Sequence, residues 1–221
     1  MHVIGVDRDI FEINREIARK NRKLFERHNV LAINIMGAIG SGKTSLIEIM
    51  HKKLGEFKIA AIAGDVVSDI DSKRLKRLTI PVQGVNTGKE CHLDAHLVSH
   101  ALERIPLRET DILFIENVGN LICPADFDLG AQKNITIVSV SEGDDTIEKH
   151  PMIFLNSDAL IINKIDIANA VNASVEKMED DAKKINSNLR IFKTSMKTGD
   201  GIPELVEWIK EIKNEQRIEK N

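Results

Sequence analysis

Gly37-Ala38-Ile39-Gly40-Ser41-Gly42-Lys43-Thr44 lies between the apolar run Leu31-Ala32-Ile33-Asn34-Ile35-Met36 and the run Leu46-Ile47-Glu48-Ile49-Met50. A strand, a glycine-rich turn and a helix in that order form a cradle for nucleotide phosphates. Gly42 lets the backbone come close, and successive amides can point at phosphate oxygens. Lys43 is placed to reach the β- and γ-phosphates, and the Thr44 hydroxyl to ligate magnesium. Residues 37–45, ending on Ser45, are the expected phosphate-binding set. A flexible loop before an ordinary helix would not require Gly, Gly, Lys and Thr together between matching elements.

The remaining composition agrees with an α/β P-loop NTPase. At 221 residues the chain fits one domain with a sizeable core. Aromatic residues are few, with seven Phe, one Trp and no Tyr, so packing must rest on Ile, Leu, Val and Ala. Such residues suit a sheet covered by helices on both faces. A net charge of -3 and the lack of a long basic stripe argue against nucleic acid as partner. No apolar run approaches the roughly eighteen residues of a membrane span, and the N-terminus lacks a signal-peptide plan. A cytoplasmic chain with no membrane insertion is expected. Its two cysteines, Cys91 and Cys123, are then free thiols or metal ligands rather than a disulfide scaffold.

Along the chain, Ile10, Ile13, Ile17, Leu24 and Phe25 recur at helical spacing among charges. Residues 1–30 therefore form an accessory helical segment outside the nucleotide core, an amphipathic cover. Strands are predicted at 58–63, 79–82, 111–115, 134–140, 159–162 and 189–192. Helices are predicted at 69–78, 94–102, 175–185 and 203–212, the last with Pro203 in its first turn. Alternation of this kind gives a doubly wound, mainly parallel sheet flanked by helices. Residues 210–221 read as a charged, solvated C-terminal helix end. The stretch around Glu142, Asp144, Asp145, His150 and Pro151 reads as a loop at the nucleotide or partner face, without a catalytic role.

A second constellation selects the base. Asn163-Lys164-Ile165-Asp166 directly follows the apolar run Leu160-Ile161-Ile162 and resembles the guanine-recognition motif of GTPases. Asp166 can accept both the N1–H and the exocyclic amine of guanine, which adenine cannot satisfy, so GTP is favoured. Lys164 can lie along the base while Asn163 ties neighbouring loops together. Ser195-Met196-Lys197, after another strand, resembles the last guanine-contact loop. Asp65 ends a strand and is the candidate carboxylate for magnesium or its water shell. Glu116 and Gly119 stand where ordinary GTPases carry Asp-x-x-Gly, and Gly119 can offer an amide to the γ-phosphate. Lys43, Thr44, Asp65 and Glu116 are thus the expected catalytic set. No glutamine follows Gly119 to orient water, so slow intrinsic turnover is expected.

Cys91-His92 and Cys123-Pro124 add three soft or borderline ligands suited to nickel or zinc, Ni2+ or Zn2+. Both lie in segments expected to answer to nucleotide state. A two-fold axis through the site would repeat the three groups and make a shared or paired metal site natural. His92, His96 and His100 share a helix face, but only His92 gains support from an adjacent cysteine.

Together with Gly64-Asp65, the run from Asn86 to Asp94 and the run from Glu116 to Pro124, these motifs resemble the HypB family over nearly the whole chain. That family comprises the GTPases assisting nickel insertion in [NiFe]-hydrogenase maturation. The resemblance implies a dimerising GTPase with Cys91, His92 and Cys123 at a nucleotide-dependent homodimer interface. It also implies the nickel chaperone HypA and the hydrogenase large-subunit precursor as partners. The N-terminal cysteine-rich nickel motif and histidine-rich stretch of some members are not found before Gly37. A urease accessory GTPase would carry Cys-Pro-His where this chain has Cys123-Pro124-Ala125. A regulatory GTPase with a structural zinc is the other alternative. A nucleotide kinase is disfavoured by the guanine motif.

Overall fold

Leu31–Met36 forms β1, and all six of its residues are buried in the computed structural model, which describes residues 4–65, 70–88 and 90–218. Complete burial follows from apolar side chains that point alternately to two faces, each covered by helices. Leu31, Ile33 and Ile35 join one core, while Ala32 and Met36 turn to the other side. The helix α1 (Ile4–His28) precedes β1, and α2 (Lys43–Lys53) follows the phosphate loop. Then come β2 (Ile59–Asp65), α3 (Ile70–Lys76), β3 (Val82–Asn86), α4 (Ala95–Leu102), β4 (Ile112–Glu116) and β5 (Lys133–Ser139). Two short helices, α5 (Thr146–Lys149) and α6 (Pro151–Leu155), lead to β6 (Ala159–Asn163), α7 (Val175–Ile185), β7 (Arg190–Thr194) and α8 (Ile202–Ile218).

The sheet has seven strands in the order β3-β2-β4-β1-β5-β6-β7. Its pairings are parallel throughout, rather than mainly so. From β1 the chain winds first toward β2 and β3, then back through β4, and out the other way through β5 to β7. The reversal beside β1 opens a crevice at the carboxyl ends of the strands, where open α/β sheets bind ligands. Under one face, Leu46, Ile47 and Met50 of α2 pack with Leu205 and Ile209 of α8. The other face is covered by Phe25 of α1 with Val98 and Leu102 of α4, and by Ile153, Phe154, Met178 and Ala182.

Several boundaries differ from expectation for local reasons. β3 starts at Val82, because Thr79 sits in a left-handed turn (φ 59°) and Pro81 offers no amide to a ladder. Of the helix predicted over 69–78, residue 69 lies outside the described residues, 70–76 form α3, and Arg77 and Leu78 turn off its end. The expected loop near Pro151 is two short helices, with Pro151 filling a first-turn position whose amide would be unpaired anyway. α8 continues to Ile218 and is not merely solvated. Lys213 is fully buried and donates to the Asn29 carbonyl, while Gln216 Nε2 donates to the Val30 carbonyl at 3.0 Å. Residues 219–221 lie outside the described residues, as do 1–3 of the N-terminal segment. α1 is a cover locked by side chains: Asn21 Nδ2 donates to the carbonyls of Ala95 (2.9 Å) and Leu129 (3.2 Å).

Candidate functional site

The phosphate loop turns through Gly42, whose φ of +118° suits glycine. A Cβ there would fall 2.5 Å from Asn163 Nδ2, so the close approach of loop and guanine motif depends on this residue. Lys43 curls back over the loop, and its Nζ donates to the carbonyls of Gly37 (3.1 Å) and Ala38 (3.0 Å). Burial pulls its pKa below the ordinary lysine value, against the opposing pull of Glu116 and Asp71.

Thr44 gathers oxygen ligands around it. Its Oγ1 lies 2.7 Å from Glu116 Oε1 and 3.0 Å from Asp71 Oδ1. Burial pushes the Glu116 carboxyl up to about 7, only partly offset by the Thr44 bond, and Asp71 adds to the rise. Glu116 Oε2 is buried and has no hydrogen-bond partner among the described residues. An all-oxygen cluster with an unsatisfied carboxylate oxygen is what a hard divalent cation such as magnesium requires. Asp65 and Asp71 line the same cavity, of about 500 Å³, with Gly119 and Cys91. Asp71 and Arg74 were not anticipated. Arg74 donates to Ser45 Oγ (3.0 Å) and to both Glu48 oxygens (2.6 and 2.5 Å), walling the cavity beside the loop. No fixed spacing ties either residue to the phosphate loop, so sequence alone carried no signal for them.

A second cavity, of about 570 Å³, continues from the first past Gly40, Gly42, Ser45 and Arg74. Lys164, Asp166, Met196 and Lys197 line it, with Asn163 at its back. Asn163 does tie loops together: Nδ2 donates to the Ser41 carbonyl (2.8 Å), and Oδ1 accepts from Thr194 Oγ1 (3.2 Å) and the Met196 amide (3.3 Å). Lys164 adopts a left-handed backbone (φ 63°) at the strand end. Ser195 is fully buried and stands behind the cavity, donating from Oγ to Asp166 Oδ1 at 2.6 Å. It braces the Asp166 carboxylate and is not among the residues lining the cavity.

Cys91, His92 and Cys123 converge, with their ligand atoms all within 4.8 Å of one another. The two sulfurs lie 2.6 Å apart, and Cys91 Sγ is 3.9 Å from His92 Nδ1. The Cys123 thiol raises the Cys91 pKa, and burial adds to it. Burial lowers that of His92, which favours the neutral imidazole a metal needs. The His92 ring stacks on Phe127 at 3.7 Å, and Phe127 rests against Phe11 at 5.2 Å. His96 and His100 stand apart on α4, paired with each other through Nε2 atoms 3.1 Å apart. Lys89, in the run between Asn86 and Asp94, lies outside the described residues. No helix among the described residues is long and apolar enough to cross a membrane.

Comparison with known proteins gives the chain's relatives. The family described as CobW/HypB/UreG, nucleotide-binding domain, matches residues 31–193. The probable hydrogenase maturation factor HypB of Methanocaldococcus jannaschii is 54% identical, covering 96% of this chain and 100% of that protein. The crystal structure of hydrogenase maturation factor HypB from Archaeoglobus fulgidus is 49% identical, covers 91% of this chain and 99% of its own, and superposes with a TM-score of 0.86. HypB from Helicobacter pylori, crystallised in complex with nickel, is 32% identical, covers 91% and 95%, and has a TM-score of 0.88.

Proposed function

The chain belongs to the HypB hydrogenase-maturation family and is a GTPase of P-loop fold, and from that premise we propose that it is a nickel metallochaperone. In this reading GTP binding assembles two protomers around Cys91, His92 and Cys123. Hydrolysis then loosens them, delivering nickel toward the [NiFe]-hydrogenase large-subunit precursor with HypA as partner. The carrying observation is that Cys91 shares a cavity wall with Thr44, Glu116 and Gly119. A change at the γ-phosphate therefore lands within reach of a metal ligand.

The residues divide the work as follows. Asp166, held by Ser195, accepts the guanine N1–H and amine, and Lys164 covers the base. Lys43 leaves the carbonyls of Gly37 and Ala38 for the β- and γ-phosphates, and the loop amides from Gly37 to Ser45 cradle the rest. Thr44 and Glu116, with Asp65 and Asp71 near them, would hold magnesium, which supplies positive charge against the phosphates. Gly119 offers its amide to the γ-phosphate and relaxes when that group leaves. Without a water-orienting glutamine after Gly119, intrinsic turnover is slow, as suits a switch.

Two exposed apolar side chains, Ile39 (87%) and Ile122 (64%), flank the thiols. A second protomer covering them would bring a second set of Cys91, His92 and Cys123 to the same axis. Thiolate and imidazole also suit zinc. A purely structural zinc is less favoured, since neither cysteine belongs to the buried core. Measurement of Ni(II) and Zn(II) affinity together with particle mass, for apo, GDP-bound and GTP-analogue-bound protein, tests the proposal. Nickel affinity and mass that change with nucleotide support it. Equal affinity and equal mass in all three states would overturn it.

A further inference from the structure

The two thiols sit on segments that leave different strands, Cys91 after β3 and Cys123 after β4. One side chain holds both. Asn120 Nδ2 donates to the Cys91 carbonyl at 3.3 Å. Its Oδ1 accepts the amide of Ile122, the residue before Cys123, at 2.9 Å. The Asn120 backbone amide, in turn, donates to the Gly37 carbonyl at 3.1 Å, an antiparallel bridge onto the first residue of the phosphate loop.

That Gly37 carbonyl is shared. Lys43 Nζ donates to it as well, at 3.1 Å. A lysine that turns to a bound phosphate gives up its share of this carbonyl, strengthening and reorienting the Asn120 contact that leads out to the thiols. The neighbouring Gly119 is pressed against the same loop, where a Cβ would meet Ile39 Cγ1 at 2.3 Å. Any loop movement must therefore be passed on or absorbed here. Behind it, fully buried Asn117 accepts the amides of Leu93 (3.0 Å) and Val118 (2.9 Å) through Oδ1. This pins the far end of the Cys91–Leu93 segment and leaves its Cys91 end to Asn120.

We infer that Asn120 is a positioning residue that transmits phosphate-loop occupancy to Cys91 and Cys123, setting the geometry in which they take a divalent metal. Asn120 is not among the residues lining the two cavities, nor in the Cys91, His92 and Cys123 cluster. The inference rests on the metallochaperone reading above, because it explains how nucleotide state reaches the metal.

The test is a thermodynamic cycle on the full chain. Ni(II) affinity is measured with GDP and with a non-hydrolysable GTP analogue, for wild type, Asn120→Ala and Asn120→Asp, with folding checked by circular dichroism. Asn120→Asp keeps the acceptor for the Ile122 amide and replaces the donor to Cys91 with a carboxylate oxygen, so it serves if the alanine variant does not fold. The wild-type affinity ratio between the two states is expected to collapse toward one in both variants, by about three- to tenfold, the reach of one or two hydrogen bonds. Nickel's effect on analogue affinity should shrink by the same factor, since coupling is reciprocal. A merely structural role would weaken nickel binding equally in both states and leave the ratio intact. That outcome in a folded variant overturns the inference alone. A wild-type ratio of one would remove the metallochaperone reading itself, and this inference with it.

Discussion

Replacing Glu116 by glutamine should stabilise the nucleotide-free protein in mildly alkaline solution and do nothing in acid. Glu116 is buried beside Thr44, with a carboxyl pushed up to about 7 from the ordinary 4.5. In the unfolded chain the carboxyl loses its proton near 4.5; in the folded protein it keeps it to about 7. Between those values the folded chain binds more protons than the unfolded chain. Stability therefore falls as pH rises through this window, then levels off. At about 1.4 kcal/mol per pH unit, the gap corresponds to about 3 kcal/mol, an upper figure because water and side chains relax around a buried charge. Glutamine fills the same space and does not titrate. Subtracting its urea-unfolding free energy from that of wild type cancels groups elsewhere that titrate alike in both. The difference should be small at pH 5 and approach ~3 kcal/mol in favour of glutamine at pH 8. A difference that stays flat, or runs the other way, would refute burial as the cause of the shift.

Other consequences are as open to measurement. Ser195→Ala removes the 2.6 Å bond that aims Asp166 and should weaken GTP binding by up to about tenfold, whereas Asp166→Ala should cost GTP affinity far more and blunt discrimination against ATP. Titration with fluorescent nucleotides separates the two. Nickel affinity should rise with pH across neutrality, by about tenfold per pH unit for each proton displaced, because the Cys123 thiol and burial keep the Cys91 thiol protonated; a flat profile would mean the thiols are not ligands. Lys213→Met keeps the apolar stem but strips the donor from the Asn29 carbonyl and from Gln216 Oε1 (3.2 Å). It should destabilise by about 1–3 kcal/mol in urea with GTP affinity unchanged.

What could be read from the sequence was what local chemistry encodes. The phosphate loop and the guanine motif each sit within eight residues at the end of one strand, so spacing alone declares them. Partners that meet only through the sheet left no such trace. Asp71 reaches Thr44 from α3 across 27 positions, and Asn120 reaches Cys91 across 29. The loop proposed to read the base stood out in sequence, but Ser195 as a brace behind Asp166 did not, since a serine in such a motif looks the same whether it faces ligand or neighbour. The charged end of α8 misled for a related reason. A lysine reads as solvated in sequence, yet Lys213 is fully buried and reaches the Asn29 carbonyl just past the end of α1. The stretch around Pro151 read as a loop, yet Pro151 starts a short helix.

The sulfur geometry adds a constraint on how such a protein can work. Two thiolates bound to one tetrahedral metal at about 2.3 Å each stand roughly 3.8 Å apart. Here they are 2.6 Å apart. Taking up a metal on both sulfurs therefore moves the sulfurs apart by about 1 Å, which turns of the two cysteine side chains can supply, and metal sites tolerate errors of only about 0.2 Å. One segment follows β3 and the other β4, and both open onto the cavity where Glu116 and Gly119 face Thr44. A displacement of that size is smaller than a side chain's rotamer change, so a phosphate arriving at the loop need not drive a large rearrangement to alter nickel affinity. On the coupling proposed above, movement of Gly119 and Asn120, which are braced against Ile39 and Gly37, would be enough.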